Sequence, residues 1–582
     1  MVLRSHWKAN KAEVVAENGV VTAMQPQAAE AGLAILKQGG NAVDAAVAIG
    51  FCNIVLEPYM AVIGGMGYML IHLAETGQTI GVDFNGRAPR QAHAGMYDVL
   101  GPAPPGGINV FRTRDDANVS GALSITVPAT CAGFCTAHEH YGRLSLAQVL
   151  EPAIGLAADG FETNWHTTLY VANRMEALQN DPYMAAMWLP NGRPPRNYPK
   201  PAERIVQRDL GELLRRIARH GAAAMYAGEV ADAIDAWMRD HGGVLTKQDL
   251  ADYQPILGSP LTQDFRGRTL ACVATPSGAV TNMETFRILN HLAFDDLEHN
   301  SAAYLHLVIE AARHAFADRF RYLGDWEHTP VPLQGLLSPE YTQQLARQIT
   351  PLRSQTVIEE QEEPWSYYLD RALHDPWAFD PGPRPDGVIP EPALAAEAGH
   401  TTHINVVDKD RNAVSCTHTG VFGPVHLDNT GVYLTGGMAW FIPLPGHPNS
   451  VAGWKRPMNN MCPVMVLQDG RPVVCQGAPG ARKIMHRGVQ VLLNMLQHGM
   501  SPQDAVAALT VDASGREVLV DSRFPDNVVE ELRSLGHAVK IVEEEPGMTG
   551  NFARPSAVTI DYDRGLLRTG VDVFRPSLAL GY

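Results

Sequence analysis

Hydrophobic and polar positions alternate with a period of two from Thr401 to Val407, which predicts a strand. Ile404 and Val406 fall on one face; Thr401, His403, Asn405 and Val407 fall on the other. The Asp408-Lys409-Asp410-Arg411-Asn412 run then reverses the chain. Pairing Val407 with Ala413 sets an antiparallel register in which partner numbers sum to about 820, so Thr401 faces Thr419. Two hydroxyls then lie roughly 5 Å apart at a strand end. Further strands are predicted at 67–73, 79–83, 269–273, 414–419, 464–468 and 472–476. Helical spacing runs from Ala29 to Lys37 and stops at Gly39-Gly40, after which Asn41 can cap an apolar helix over 42–51. Residues 138–160 and 301–323 read as two more amphipathic helical stretches. The mixture of helices and antiparallel hairpins predicts sheet packed on sheet with helices outside, and no repeat of fixed period interrupts it.

Composition narrows the class. Of 582 residues, 45% are hydrophobic and 19% charged, as in a large globular enzyme, and length alone would suggest about four domains. The net charge of −16, without a lysine or arginine cluster, argues against nucleic acid and anionic membrane as partners and for a small molecule. Seven cysteines, odd in number and set in apolar runs, read as reduced core residues. The first residues lack a charged start followed by an apolar stretch, and no window reaches 18 apolar residues, so the expectation is a cytoplasmic protein.

The candidate chemistry centres on Thr401. A threonine hydroxyl becomes nucleophilic when a base takes its proton, and a free α-amino group on the same residue can be that base. This requires a cut between His400 and Thr401. Residues 373–400, rich in proline and glycine, read as an exposed linker that could swing clear after the cut. The turn Gln476-Gly477-Ala478-Pro479-Gly480-Ala481-Arg482 follows an apolar strand, and its N–H groups can converge on an oxyanion. Gly64-Gly65-Met66-Gly67 lacks the Lys-Ser/Thr of a phosphate loop and reads as close packing. His138-Glu139-His140 has no metal-ligand spacing and reads as helix surface. Glu359, Glu360, Glu362 and Glu363 read as a solvated face.

TTHINVVDKDRNAVSCTHT (401–419) resembles the start of the small subunit in the γ-glutamyltranspeptidase family of N-terminal-nucleophile hydrolases. The likeness extends over 26–70, 125–161, 245–254, 314–325, 454–466 and 476–484, in the family's order. It implies an α/β (α+β) fold, a four-layer αββα sandwich. It also implies a precursor cut into a large subunit, 1–400, and a small one, 401–582, interwoven in one globule. By the same resemblance Thr401 is the processing residue and nucleophile, Thr419 positions it, and the N–H groups of Gly480 and Ala481 form the oxyanion hole. Ala481 stands where the family has glycine, so the donor survives only if the backbone there accepts a Cβ.

The positions that hold the glutamyl group in the family depart from its pattern. Asn85 replaces an arginine, with Arg87 two residues on; Val421 replaces an asparagine; Trp440 replaces an aspartate; Asn459-Asn460 replace a serine pair. An ammonium without its carboxylate partner binds poorly. The segment between Trp440 and Asn459 is also shorter than in lid-bearing members, which implies a more open cleft. The reading is therefore an amide hydrolase or acylase for a non-glutamyl acyl group, with Arg87 or Asn459-Asn460 holding any carboxylate. A true γ-glutamyl hydrolase or transpeptidase, and an inactive binding protein, are the alternatives. No cofactor or metal is expected, and homo-oligomerisation stays open.

Overall fold

The computed structural model describes residues 10–102, 111–274, 276–355, 374–384, 401–420, 425–544 and 550–582. Two seven-stranded antiparallel sheets form its centre. The first runs, edge to edge, Leu578–Gly581, Val20–Ala23, Thr402–Val407, Ala413–Thr419, Met66–Leu73, Gln78–Phe84 and Ile256–Gly258. The second runs Val14–Ala16, Leu566–Val571, Ser556–Asp561, Arg471–Gly477, Val464–Gln468, Arg268–Cys272 and Leu261–Phe265.

Side-chain alternation explains why two sheets stack and why helices cover both. In the second sheet, Ala271, Met465, Cys475 and Val558 join the apolar core shared with the first sheet. Their neighbours Leu270, Cys272, Val464, Val466, Val474 and Ala557 pack instead with the helices Ala279–Asn290 and Lys483–Leu496. On the far side of the first sheet lies the helix Ala42–Leu56, buried at every residue. Pro26–Lys37, Thr130–Tyr141 and Leu146–Ala158 pack around it, which is why it is apolar all round rather than striped. The result is the expected αββα order of layers. All seven cysteines are free and buried.

The hairpin forms in the expected register: Thr402 pairs with His418 and Val407 with Ala413. Asn41 caps its helix as read from sequence, accepting from the N–H groups of Val43 and Asp44 at 3.0 Å each, while Asp44 accepts from Asn41 N–H at 2.9 Å. Such a cap is worth about 1 kcal/mol. The preceding helix ends where Gly39 turns at φ +94° and Gly40 N–H reaches Ile35 O at 3.0 Å.

Two expectations are corrected. Residues 138–160 are not one helix: Thr130–Tyr141 stops, and Leu146–Ala158 restarts with a capping box between Ser145 and Gln148. Residues 374–380 are not an exposed linker. His374 is buried between Asp318, at 2.8 Å, and His314, at 3.0 Å, and the Phe379 ring lies against Tyr341. Pro376 opens a short turn, Pro376–Phe379, docked on the helices. Residues 373 and 385–400 and the four glutamates lie outside the described residues.

Strands from before and after position 401 are hydrogen-bonded to one another in both sheets. Val20–Ala23 lies between Leu578–Gly581 and Thr402–Val407, and Val464–Gln468 pairs with Arg268–Cys272. Among the described residues, no helix is long and apolar enough to cross a membrane.

Candidate active site

The turn Asp408–Asn412 fixes the hairpin. One oxygen of Asp408 accepts from the backbone of Asp410 and Asn412 at 3.0 and 2.9 Å; the other accepts from the Asn412 amide at 2.8 Å and from Ala42 N–H at 2.9 Å. The hairpin is thereby tied to the first turn of the buried helix. At its open end, the Thr401 hydroxyl donates to the Thr419 hydroxyl at 3.1 Å, and both residues are buried. That separation is shorter than the register alone implies, because the two side chains lean together.

Thr401, His403 and Asn405 face the second sheet. Asn405 donates to Ser556 Oγ at 3.1 Å, so its carbonyl oxygen is left to accept from His403 Nε2 at 3.1 Å. His403 Nδ1 is then the acceptor for Thr417 Oγ1 at 2.8 Å. Burial pushes His403 down to about 3, which keeps this ring neutral. Thr402 points the opposite way, toward Asn53 at 3.4 Å and the carboxyl of Glu57. Burial raises Glu57 to about 7, despite the donor Gln25 Nε2 at 3.0 Å.

The glycine-rich turn leaves the second sheet at the same end. His403 lies directly on Gly477, where an added Cβ would come within 2.2 Å of the ring, and Ser415 donates to Gln476 O at 3.2 Å. Gly480 has φ +143°, and a Cβ there would meet Ala553 Cα at 2.5 Å. Ala481 is buried at φ +53°, a left-handed conformation that glycine holds without strain and alanine does not. The backbone has therefore kept the turn of a second glycine and accommodates the methyl. The helix Lys483–Leu496 follows.

Met66 pairs with Thr419, and around it converge three further segments. Asn459 Nδ2 touches the Met66 sulfur at 3.3 Å; a Cβ on Gly437 would meet Met66 Cε at 2.6 Å and Thr126 Oγ1 at 2.2 Å; one on Gly65 would meet Thr419 O at 2.1 Å. Asn459 and the turn Gly437–Trp440 are thus brought to the end of the sheet where Thr419 lies. Trp440 is half-buried, its carbonyl taking a bond from Asn449. Asn459 Oδ1 accepts from Met461 N–H at 3.1 Å, and Asn460 Oδ1 accepts from Arg319 at 2.8 Å.

Asn85 and Arg87 are built into the scaffold. Asn85 donates to Pro457 O at 2.8 Å. Arg87 donates to Trp454 O at 2.9 Å and pairs with Glu327 at 3.1 Å. His400 and Val421 lie outside the described residues.

Sequence reasoning missed the charge that organises this wall. Arg456 is buried and reaches Asp83 at 2.7 Å, Asp325 at 2.6 Å and Glu327 at 3.0 Å. Burial alone would lower the Arg456 guanidinium, but Asp325, Asp83 and Glu327 raise it instead. Asp325, Glu327 and His328 group in the manner of metal ligands, but Arg456 already supplies their cation. Also unread were the Thr126 and Thr130 hydroxyls, buried beside Gly437 and Gly65 with no partner among the described residues. An Arg following Trp-Lys, and threonines in a strongly apolar run, carry no signal of their own.

Comparison with known proteins supplies four likenesses. The family model described as Gamma-glutamyltranspeptidase matches residues 28–578. A glutathione hydrolase proenzyme of Pseudomonas sp. (strain A14) is 35% identical over 86% of this chain and 82% of its own. An acylase ACY 1 proenzyme of Pseudomonas sp. (strain SE83) is 34% identical over 90% and 87%. Among solved structures, the cephalosporin acylase of Bacillus halodurans superposes with a TM-score of 0.83 at 26% identity, over 100% of this chain and 99% of that one.

Proposed function

The chain belongs to the gamma-glutamyltranspeptidase family of N-terminal-nucleophile hydrolases, and on that premise we propose that it is an acylase whose nucleophile is Thr401. The observation that carries this reading is the buried pair of hydroxyls, Thr401 and Thr419, at 3.1 Å at the open end of a central hairpin.

In maturation, Thr401 Oγ attacks the carbonyl carbon of His400. The acyl group moves from nitrogen to oxygen, and water hydrolyses the ester to leave a carboxylate on His400 and a free amine on Thr401. The products are a large subunit, 1–400, and a small one, 401–582. In turnover that amine takes the proton as Thr401 Oγ attacks a substrate amide, and Thr419 holds the attacking oxygen in place. The N–H groups of Gly480 and Ala481 receive the oxyanion of the tetrahedral intermediate, and the positive φ of both residues supports that orientation. Collapse expels the amine, which takes its proton from the Thr401 α-ammonium, and water, deprotonated by the Thr401 α-amine, then releases the acyl group as a carboxylic acid and restores the hydroxyl.

The acyl group is read as non-glutamyl. Asn85 has no charge to offer an α-carboxylate, and Arg87 would accept one only by exchanging it for Glu327. Trp440, at the position of the family's ammonium-binding aspartate, presents an indole instead. Val421, by sequence position, replaces an amide donor with an apolar side chain in the same reading, and Asn459 and Asn460 supply the polar edge. The glutathione hydrolase relative is as similar in sequence as the acylase relative, so the alternative is a γ-glutamyl donor.

Two measurements test this. Purified protein on a denaturing gel should resolve into fragments of 400 and 182 residues (582 − 400). Thr401→Ala should stay whole and inactive; a wild-type chain that stays whole would refute the nucleophile. Turnover of aliphatic and aromatic N-acyl amides should then exceed that of a γ-glutamyl anilide, and the reverse order would assign the glutamyl activity.

A further inference from the structure

Away from Thr401, the helix Ala302–Tyr322 places His306 and Glu310 one turn apart on one face, and His537 is brought against them from beyond the helix Asp526–Ser534. All three are buried, and one ligand atom from each lies within 4.8 Å of the others. His306 Nε2 contacts Thr350 O at 2.7 Å. A carbonyl only accepts, so this nitrogen carries the proton and Nδ1 keeps its lone pair. That lone pair points at His537 Nε2, 2.8 Å away.

Hydrogen bonding leaves this cluster incomplete. If His537 Nε2 donates to His306, then His537 Nδ1 is bare, and it stands 4.0 Å from Glu310 Oε1 with no hydrogen-bond partner among the described residues. A buried lone pair facing a carboxylate is unfavourable; with the proton on His537 Nδ1 instead, the Nε2 lone pair meets that of His306 Nδ1 at 2.8 Å, and a cation between those two nitrogens, held also by Glu310, removes the conflict. Ser354 Oγ donates to Glu310 at 2.8 Å and Gln355 N–H at 3.1 Å, so the carboxylate is oriented by outer partners, as His306 is by Thr350.

We propose that His306, Glu310 and His537 form a binding site for a borderline divalent cation of the zinc class. Two imidazoles and one carboxylate suit that class, whose bonds of about 2.0–2.2 Å place ligand atoms about 3.3 Å apart in a tetrahedron. The facing nitrogens His306 Nδ1 and His537 Nε2, now 2.8 Å apart, would open by about 0.5 Å to reach that value, and one ligand atom from each of the three residues already lies within 4.8 Å of the others. Arg313, whose charge reaches His537, opposes a cation, and Glu310 is the group that offsets it. The site joins residues from either side of position 401, so a bound ion would link the two products of the cut. It also holds the turn at Thr350–Ser354 through both outer partners.

The probe is Zn²⁺ alone, added to untagged full-length protein after chelation and removed by gel filtration, with metal counted by mass spectrometry. Wild type should retain about one equivalent, and Glu310→Gln and His537→Gln less than about a tenth. Co²⁺ in place of zinc should give the visible absorption of a tetrahedral site in wild type only. Retention below about a tenth in wild type, or equal retention in a soluble variant, would overturn the proposal. If His537→Gln fails to fold, Glu310→Gln and the wild-type count decide. Thr401→Ala should bind zinc as wild type does, which separates this outcome from failure of the nucleophile reading.

Discussion

Replacing Glu57 by glutamine should make the protein less sensitive to alkali. Glu57 ends the buried helix Ala42–Leu56, with Gln25 Nε2 as donor to one oxygen and the Thr402 hydroxyl beside the carboxyl. Burial raises it from 4.5 to about 7. A raised acid binds its proton more tightly when folded, so its contribution is intact below the unfolded value near 4.5. Stability is lost as pH climbs through the folded value near 7. At about 1.4 kcal/mol per pH unit, wild type should lose about 2.5 kcal/mol more than Glu57→Gln between about pH 5 and about pH 8. Other buried acids titrate in both proteins and cancel in the difference. For a chain of this length that is a gap of about 2 °C in thermal midpoint, readable by differential scanning fluorimetry at matched scan rates. The substituted amide keeps an oxygen to accept from the Gln25 side chain, so the shape of the site is conserved. Parallel curves for the two proteins over that range would refute the argument, because Glu57 would then be ionised at no cost or hydrated.

Two other substitutions probe the scaffold. Gly65→Ala puts a Cβ 2.1 Å from Thr419 O and 3.0 Å from Val62 O, backbone on both sides. A shift of Thr419 by about 1 Å should slow cleavage before Thr401 by about 100-fold, timed on a gel, and an unchanged rate would mean Thr419 does not position the nucleophile. Arg456→Met strands Asp83 and Asp325 as buried charges and should cost about 3–5 kcal/mol in denaturant unfolding. A loss below about 1 kcal/mol would show that water replaces the guanidinium.

What the sequence discloses depends on how local the cause is. The 401–419 hairpin was readable in detail because alternation and turn length jointly fix a register, and a slip by one residue would turn Ile404 and Val406 onto the polar face of Thr401, His403 and Asn405. The cap at Asn41 was equally local. The break at Gly142–Ser145 was readable too: Ser145 and Gln148 are a capping signature inside an otherwise helical run. Residues 374–380 were misjudged because proline content reports on backbone freedom and says nothing of the buried Asp318 that His374 meets. Arg456 joins Asp83 and Asp325, far apart in the chain, and a single sequence gives no spacing from which such a triad follows. Asn85 and Arg87 were chosen by position, and their engagement with Pro457 and Glu327 is a fact of packing alone.

The mixing of strands from either side of position 401 in both sheets has a kinetic consequence. With Val20–Ala23 held between two strands from beyond that position, a cut there cannot release either piece without opening both sheets. Folding of the whole chain is unimolecular, whereas the severed pieces could find each other again only by collision, at a rate that falls with dilution. The cut form would then persist because it opens slowly rather than because it re-forms, and its lifetime on heating, not a reversible midpoint, becomes the meaningful measure of its durability.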